Sequence, residues 1–174
     1  MNINISLRRV LASLVFLLAL LPAVCSAGVM PIIRSDVRTF DIAKGVYNLK
    51  GNVFVQWPIK DSEMTITADS TEVCIYDMEV HGQGNIVLAF GPMQFYCDKV
   101  DVYHSQRTAF VEGDLRFKDG KLDIRADSGS YCWKTKLASF KGHVKVNGKP
   151  HKDVVYHVNE KKFVQQPNAP PKSK

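Results

Sequence analysis

Residues 113–117 of the chain are Gly-Asp-Leu-Arg-Phe, and similar short stretches begin at Gly51, Gly84 and Gly142. The last three of these glycines are evenly spaced, and only the interval after Gly51 is slightly longer. An aspartate precedes each glycine at one constant separation, and these marker aspartates are Asp36, Asp69, Asp98 and Asp127. Two markers that keep the same spacing indicate four copies of one structural unit.

Within each copy, apolar residues recur at every second position. Before the third marker aspartate, Met93, Phe95 and Cys97 alternate with Gln94 and Tyr96, and the same alternation follows each glycine. Successive side chains of a β-strand point to opposite faces, so this period predicts half-buried strands and excludes a helix. Turn sequences such as Asp-Gly and Asn-Gly separate the strands. We therefore predict an all-β fold of stacked short antiparallel strands.

The markers themselves have structural interpretations. One copy cannot bury its apolar face alone, so the copies are expected to stack around a shared interior. Each marker glycine is expected to form a kink or bulge where the chain bends. The aspartates are assigned to hydrogen bonds at turns and strand ends. General acid–base catalysis needs one differentiated pair of groups, whereas these carboxylates form a column of equivalent ones.

The segment 1–27 differs in character from the rest of the chain. Arg8 and Arg9 precede an uncharged apolar stretch over positions 10–24, and Cys25-Ser26-Ala27 follows. This arrangement is typical of a secretory signal peptide, for which we predict cleavage after Ala27. The apolar stretch is shorter than the ~20 residues of a membrane-spanning helix. An uncleaved membrane anchor is the alternative.

Composition and charge narrow the function classes. An apolar content of 45% and a charged content of 23% are those of a folded globular protein. Removal of the segment 1–27 takes away Arg8 and Arg9 and no acid, which lowers the net charge from +6 to +4. This mild excess suits an anionic lipid, and export disfavours nucleic acid as a partner. The histidines lack metal-ligand spacing and no Cys-x-x-Cys or nucleophile motif occurs, so we predict no enzyme, cofactor or metal site.

The Gly-led strands, together with Ala68-Asp69 and Ala126-Asp127, resemble the LptA/OstA family of periplasmic lipopolysaccharide-transport proteins over residues 36–158. Cys97-Asp98 departs mildly from the family pattern. The resemblance implies a slightly twisted β-jellyroll, open at both ends, located in the periplasm. It also implies an interior that carries lipopolysaccharide acyl chains. Such domains dock end to end with the OstA-like domains of the inner-membrane complex and of the outer-membrane translocon.

The resemblance gives the predicted inward and edge residues a function. The apolar residues expected to line the lipid-binding interior are Ile66, Ile86, Leu88, Phe95, Leu115, Phe117, Ile124, Val144 and Val146. Uncovered strand edges invite strand addition, so head-to-tail homo-oligomers are expected. The residues expected to dock at the first and last strands are Val37, Phe40, Val154, Tyr156 and Val158.

Two further interpretations remain open beside a lipid-carrying bridge. An LptC-like component is built from the same domain but keeps its N-terminal helix as a membrane anchor. A ligand-free, self-assembling β-scaffold with a filled core has the same sequence pattern. In each case we divide the chain into a signal peptide at 1–27, an OstA-like β-jellyroll domain at 28–164 and a disordered tail at 165–174, which contains three prolines.

Overall fold

The computed structural model describes residues 30–59 and 62–164, which form one antiparallel sheet of 13 strands. The strands are β1 (Ile32–Arg34), β2 (Val37–Asp41), β3 (Val46–Ile59), β4 (Ser62–Cys74), β5 (Glu79–Phe90), β6 (Met93–Tyr103), β7 (Thr108–Asp119), β8 (Leu122–Cys132), β9 (Leu137–Lys141), β10 (Lys145–Val146), β11 (Lys149–Pro150), β12 (Val154–His157) and β13 (Lys162–Val164). The predicted all-β jellyroll of antiparallel strands is confirmed. The predicted signal peptide and tail lie outside the described residues.

The sheet is a meander in which neighbours in sequence are neighbours in space. Its main order is β1-β3-β4-β5-β6-β7-β8-β9-β12-β13, while β2 also pairs with β3, and β10 pairs with both β8 and β11. Strands β3 to β8 are 11 to 14 residues long. They are therefore longer than the short strands that the turn signals predicted, and each changes register once near its middle.

The register change is a β-bulge at the marker glycine. Gly51 and Asn52 on β3 lie opposite the single residue Asp69 on β4, and the same two-against-one arrangement recurs between β5 and β6 and between β7 and β8. An extra residue on one strand bends that strand and increases its twist. Because every bulge lies at the same level of the sheet, the whole sheet folds over along one line. The predicted bulge at the glycines is confirmed.

The bulge requires glycine for two reasons. Gly84 has φ +77, a left-handed conformation that costs a residue with a side chain about 1–2 kcal/mol. A Cβ added to Gly84 would also lie 2.5 Å from Oδ2 of Asp69, which is closer than two such atoms approach. The marker glycines of the other three copies have the same conformation and the same contact with their own aspartate.

The marker aspartate stabilises the bulge by a side-chain hydrogen bond with the residue after the glycine. Asn85 Nδ2 donates to Asp69 Oδ2 at 2.8 Å, and the first copy has the same bond at the same length. In the fourth copy His143 Nδ1 lies 2.7 Å from Oδ2 of Asp127. The third copy has Asp114 at this position, which has no nitrogen to donate. The predicted hydrogen-bonding role of the aspartates is therefore confirmed in three copies, but their predicted place at turns and strand ends is wrong, because Asp69 and Asp127 lie near the middle of long strands.

The line of bulges divides the sheet into two layers, which we call half-sheets. Half-sheet 1 consists of β1, β10, β11 and residues 53–59, 62–68, 86–90, 93–97, 115–119 and 122–126. Half-sheet 2 consists of β2, β9, β12, β13 and residues 46–50, 70–74, 79–83, 99–103, 108–112 and 128–132. Their apolar faces pack together: the Phe117 ring of half-sheet 1 lies 5.1 Å from that of Phe140 in half-sheet 2.

A line of cross-strand partners forms the inner face of half-sheet 1. Its members, in order across the sheet, are Val55, Ile66, Leu88, Phe95, Phe117, Ile124 and Val146. Their exposed fractions are 0% except for Val146, at 9%. The inward positions predicted from the alternation of apolar residues are therefore confirmed as the core.

The C-terminal edge of the sheet lies one strand later than predicted. β12 pairs with β9 on one side and with β13 on the other, because the chain turns once more after β12 and adds a final strand. Tyr156 therefore has partners on both sides and Val158 lies in the turn after β12, so the prediction that they form an uncovered edge is wrong, whereas Val154 pairs only with Phe140 of β9. Val37 and Phe40 do lie on a strand that pairs on one side only, with β3.

The bulge contact predicts different costs for two glycine substitutions. Gly84→Ala is expected to lower the free energy of unfolding by about 2–4 kcal/mol, since it adds a clash with Asp69 to the left-handed strain. Gly148→Ala is the matched control, because Gly148 has φ +80 but nothing within 4 Å of an added Cβ. Its expected cost is about 1–2 kcal/mol. Equal losses in urea unfolding would contradict the proposed role of the aspartate contact.

Candidate functional site

The nine residues predicted to contact lipid all lie between the two half-sheets. Their exposed fractions range from 0% to 9%, and all nine belong to one hydrophobic cluster: Ile66, Ile86, Leu88, Phe95, Leu115, Phe117, Ile124, Val144 and Val146. The structure therefore brings the predicted set together. It also seals this set from solvent, so a ligand reaches these side chains only where the two layers separate or end.

The two layers meet opposite the bulges along a line that we call the seam. Here the outer ends of β3, β5 and β7 in half-sheet 1 approach the turns at residues 104–107, 133–136 and 158–161 of half-sheet 2. Because the bulges already join the layers along the other side, the seam is the side on which the sandwich opens without breaking a strand. Three groups of side chains, which we call clasps, hold the seam closed.

The first clasp stacks Trp57 on His104. Their ring centroids are 5.2 Å apart with the planes 22° from parallel, and His104 also lies 6.1 Å from Trp133. Burial, and to a smaller extent the nearby Arg107, lowers the pKa of His104 below its ordinary value of 6.5. The ring between the tryptophans is therefore neutral at pH 7, which suits an apolar contact.

The second clasp is aromatic throughout. The Phe90 ring at the end of β5 lies 4.8 Å from the Tyr131 ring and 5.6 Å from the Trp133 ring. All three residues are buried. Edge-to-face and tilted aromatic pairs of this kind contribute about 0.5–1.5 kcal/mol beyond the area that they bury.

The third clasp is polar. Asp119, at the end of β7, has a side chain that is only 4% exposed, and it accepts a hydrogen bond of 3.2 Å from the Tyr156 hydroxyl. Lys161 forms an ion pair with the same carboxylate oxygen. Burial, followed by Asp119, raises the pKa of Tyr156 to about 12, so this hydroxyl remains a donor. Asp119 thus ties half-sheet 1 to the last turn of half-sheet 2.

A cleft of about 570 Å³ opens at the seam between the second and third clasps. The apolar residues that line it include Ile59, Phe90, Met93, Tyr131 and Val158. Lys136 and Lys161 also line it. Lys161 is already paired with Asp119, so an apolar floor beside the Lys136 ammonium group suits an anionic amphiphile, which has an apolar chain and a charged end.

The interior also reaches solvent at the two ends of half-sheet 2. A line of inward cross-strand partners runs from β2 to β13 through Phe40, Tyr47, Val73, Val80, Val102, Ala109, Tyr131, Ala138, Tyr156 and Phe163. Its two terminal residues, Phe40 and Phe163, are 43% and 45% exposed. The apolar column is therefore continuous from one end of the domain to the other.

The seam was not predicted from the sequence, although its aromatic residues share a simple signal. Phe90 is the last residue of β5, Trp57 lies two residues before the end of β3, and Trp133 directly follows the end of β8. Large aromatic side chains at strand ends indicate contacts that close the rim of a sandwich. The alternation alone does not tell which strand end meets which turn.

Metal-ligand clusters and membrane-spanning helices are both absent from residues 30–59 and 62–164. In this part of the chain no three His, Cys, Asp or Glu side chains stand close enough to hold a metal ion. The same residues contain no helix of the length and apolarity that crossing a membrane requires.

A solved structure with the same architecture is LptH from Pseudomonas aeruginosa, described as the LptA homologous periplasmic component of the conserved lipopolysaccharide transport device. The superposition has a TM-score of 0.59 and covers 67% of this chain and 93% of LptH. The chain has the fold of LptH. At 11% sequence identity this likeness establishes the fold alone. No family model matches the sequence, and no curated protein matches it either.

The third clasp predicts unequal effects for two aspartate substitutions. Asp119→Ala is expected to lower the free energy of unfolding by about 1–3 kcal/mol, since it leaves the buried Tyr156 hydroxyl without its acceptor. Asp123→Ala is the control, because it removes an ion pair with Arg116 in which the side chains are 32% and 39% exposed. Its expected effect is within about 1 kcal/mol. An equal or larger loss for Asp123→Ala in chemical denaturation would show that the clasp does not hold the seam.

Proposed function

We propose that the chain is a periplasmic component of lipopolysaccharide transport that holds acyl chains between its two half-sheets. The observation that carries this proposal is the apolar column from Phe40 to Phe163, which is continuous and exposed at both ends. A column with two exposed ends suits a conduit between successive domains rather than a closed pocket. The fold shared with LptH and the signal-peptide character of residues 1–27 support the same role.

Loading from the side of the domain, instead of through its two ends, requires the seam to open. Opening exposes the aromatic clasps, and each large apolar side chain that is fully exposed costs about 1.5–3 kcal/mol. An acyl chain that leaves water for the interior gains about 0.8 kcal/mol for each methylene that it buries. A chain of roughly a dozen methylenes therefore offsets the loss of several clasp contacts. Lys136 at the seam cleft would then meet the anionic end of the lipid.

Docking between domains is assigned to the two edges of half-sheet 2. Its first strand, β2, exposes Val37 and Phe40, and its last strand, β13, exposes Phe163 and Val164. Half-sheet 1 instead ends in β11, which is only two residues long and contains Pro150. A short edge strand with proline resists further pairing. We propose head-to-tail association of β13 with β2 of the next copy or of another OstA-like domain.

A ligand-free scaffold is the second candidate, because the complete burial of the nine interior residues suits a filled core equally well. A membrane-anchored LptC-like component differs from the first proposal only in the fate of residues 1–27, which lie outside the described residues. Neither proposal gives the chain a catalytic role.

The acyl-chain proposal predicts which side of β5 contacts lipid. A photo-crosslinking residue in place of Leu88, which faces the interior at 0% exposure, is expected to form adducts with lipopolysaccharide in cells that export it. The same residue in place of its neighbour Val87, which faces outward on the same strand, is expected to form none. The two positions differ only in the face of the sheet.

Two results would contradict the acyl-chain proposal. Adducts at Val87 as strong as those at Leu88 would mean that lipid does not enter the interior. No adduct at either position, in a protein that folds and is exported, would favour the ligand-free scaffold.

The docking proposal predicts that one charged substitution disrupts self-association. Phe163→Lys is expected to weaken self-association at least about tenfold, because it places a charge at the edge that must pair. Phe110→Lys is the control, since Phe110 is 42% exposed against 45% for Phe163 but lies on the inner strand β7. Sedimentation velocity over a range of concentrations measures both variants. Equal association of the two variants, or a strictly monomeric unaltered protein, would remove the proposal.

A further inference from the structure

The outer face of half-sheet 1 has a line of positive charges near its C-terminal edge. Arg116 on β7 is the cross-strand partner of Arg125 on β8, and Arg125 is the partner of Lys145 on β10. Neighbouring strands are about 4.8 Å apart, so the three residues are evenly spaced over roughly 10 Å. We call these three residues the cationic ladder. They lie on the face opposite the apolar interior.

The cationic ladder is not balanced by acids. Like charges directly opposite each other destabilise a sheet. Arg116 is compensated by Asp123, since its Nε donates to Asp123 Oδ2 at 2.9 Å. Arg125 and Lys145 form no ion pair with any residue in 30–59 or 62–164. Two adjacent cations, Arg125 and Lys145, are therefore available to bind an anion from outside the domain.

The fold itself does not require cations at these positions. The corresponding residues of the same line are Phe54, Thr67, Val87 and Tyr96 on β3 to β6, and Arg34 on β1. These residues keep the same bulge and the same core as the later copies. Basic side chains therefore follow one another on β7, β8 and β10 after four neutral positions, and the repeat itself does not account for them.

Two clefts flank the cationic ladder and share Arg125. The first, of about 310 Å³, is lined by Tyr96, Asp114, Arg116, Lys118 and Arg125. The second, of about 440 Å³, is lined by Asp123, Arg125, Lys145, Asn147 and Gly148. Lys118 adds a fourth cation, with its Nζ 5.6 Å from the Tyr96 ring centroid. The two clefts together contain four cations and two acids, and one of the acids, Asp123, is already paired with Arg116.

We propose that the cationic ladder binds the phosphate groups of an anionic lipid surface. Guanidinium groups match phosphate oxygens with two parallel hydrogen bonds, which lysine supplements as a point charge. A row of cations on one face of a sheet presents its charges together to a surface of phosphates. Basic clusters are attracted to anionic leaflets in this way. The site is independent of the acyl-chain proposal, because it lies on the other face of half-sheet 1.

The test is binding of the purified protein to vesicles of phosphatidylcholine and phosphatidylglycerol, mixed roughly three to one. The double variant Arg125→Ala with Lys145→Ala is expected to bind about 30-fold more weakly. The control is Lys50→Ala with Lys141→Ala, which removes the same charge from exposed outward positions on half-sheet 2. The control is expected to change binding less than about twofold. Vesicles of phosphatidylcholine alone are expected to bind neither variant nor the unaltered protein.

Several results would overturn the proposal. Equal weakening in both double variants would assign binding to net charge, and no binding by the unaltered protein would remove the site. Displacement by inorganic phosphate beyond that by chloride at equal ionic strength would indicate a pocket for one free phosphate. Stronger binding of soluble polyglutamate than of the vesicles would indicate an acidic protein partner. Photo-crosslinking at Leu88 tests the acyl-chain proposal, and its outcome does not depend on any of these binding results.

Discussion

The contact between a marker aspartate and a left-handed glycine, as at Asp69 and Gly84, is the constraint on which the rest of the structure depends. It places one bulge at the same level in each of β3, β5 and β7, and the sheet folds along that level. Without the bulges, the alternating residues would make a flat sheet with one apolar face in water. With them, that face closes on itself and buries residues such as Phe117 and Phe140 against each other.

The two long sides of the closed sandwich are held together by different interactions. One side is a row of continuous backbones at the bulges, whereas the other is the seam, which is held closed by side-chain contacts among the described residues. Aromatic contacts at Trp57 and Phe90 and two polar contacts of Asp119, with Tyr156 and Lys161, hold the seam. Side-chain contacts of this size separate at far lower cost than a hydrogen-bonded ladder. A domain built in this way opens along one predictable line and keeps its sheet intact.

The strands and their inward faces could be predicted from the sequence because both are local properties. The recurrence of apolar residues at every second position assigns Ile86 and Leu88 to one face of their strand, whatever place that strand has in the sheet. The glycine spacing locates the bend. The clasps could not be predicted, since Trp57 and His104 meet only after the sheet has folded to a particular angle. The final strand was missed for a different reason: the turn before it has Lys161 at the left-handed position, with φ +51, where a glycine would have marked the turn.

The most direct test of the account uses the two tryptophans of the chain, Trp57 and Trp133, which both lie at the seam. They are 3% and 7% exposed, so bromide ions in solution are expected to quench their fluorescence weakly. An amphiphile with bromine on its acyl chain is expected to quench both strongly and saturably, because the chain enters where the clasps separate. Bound amphiphile, counted by native mass spectrometry, with unchanged tryptophan fluorescence would contradict entry through the seam.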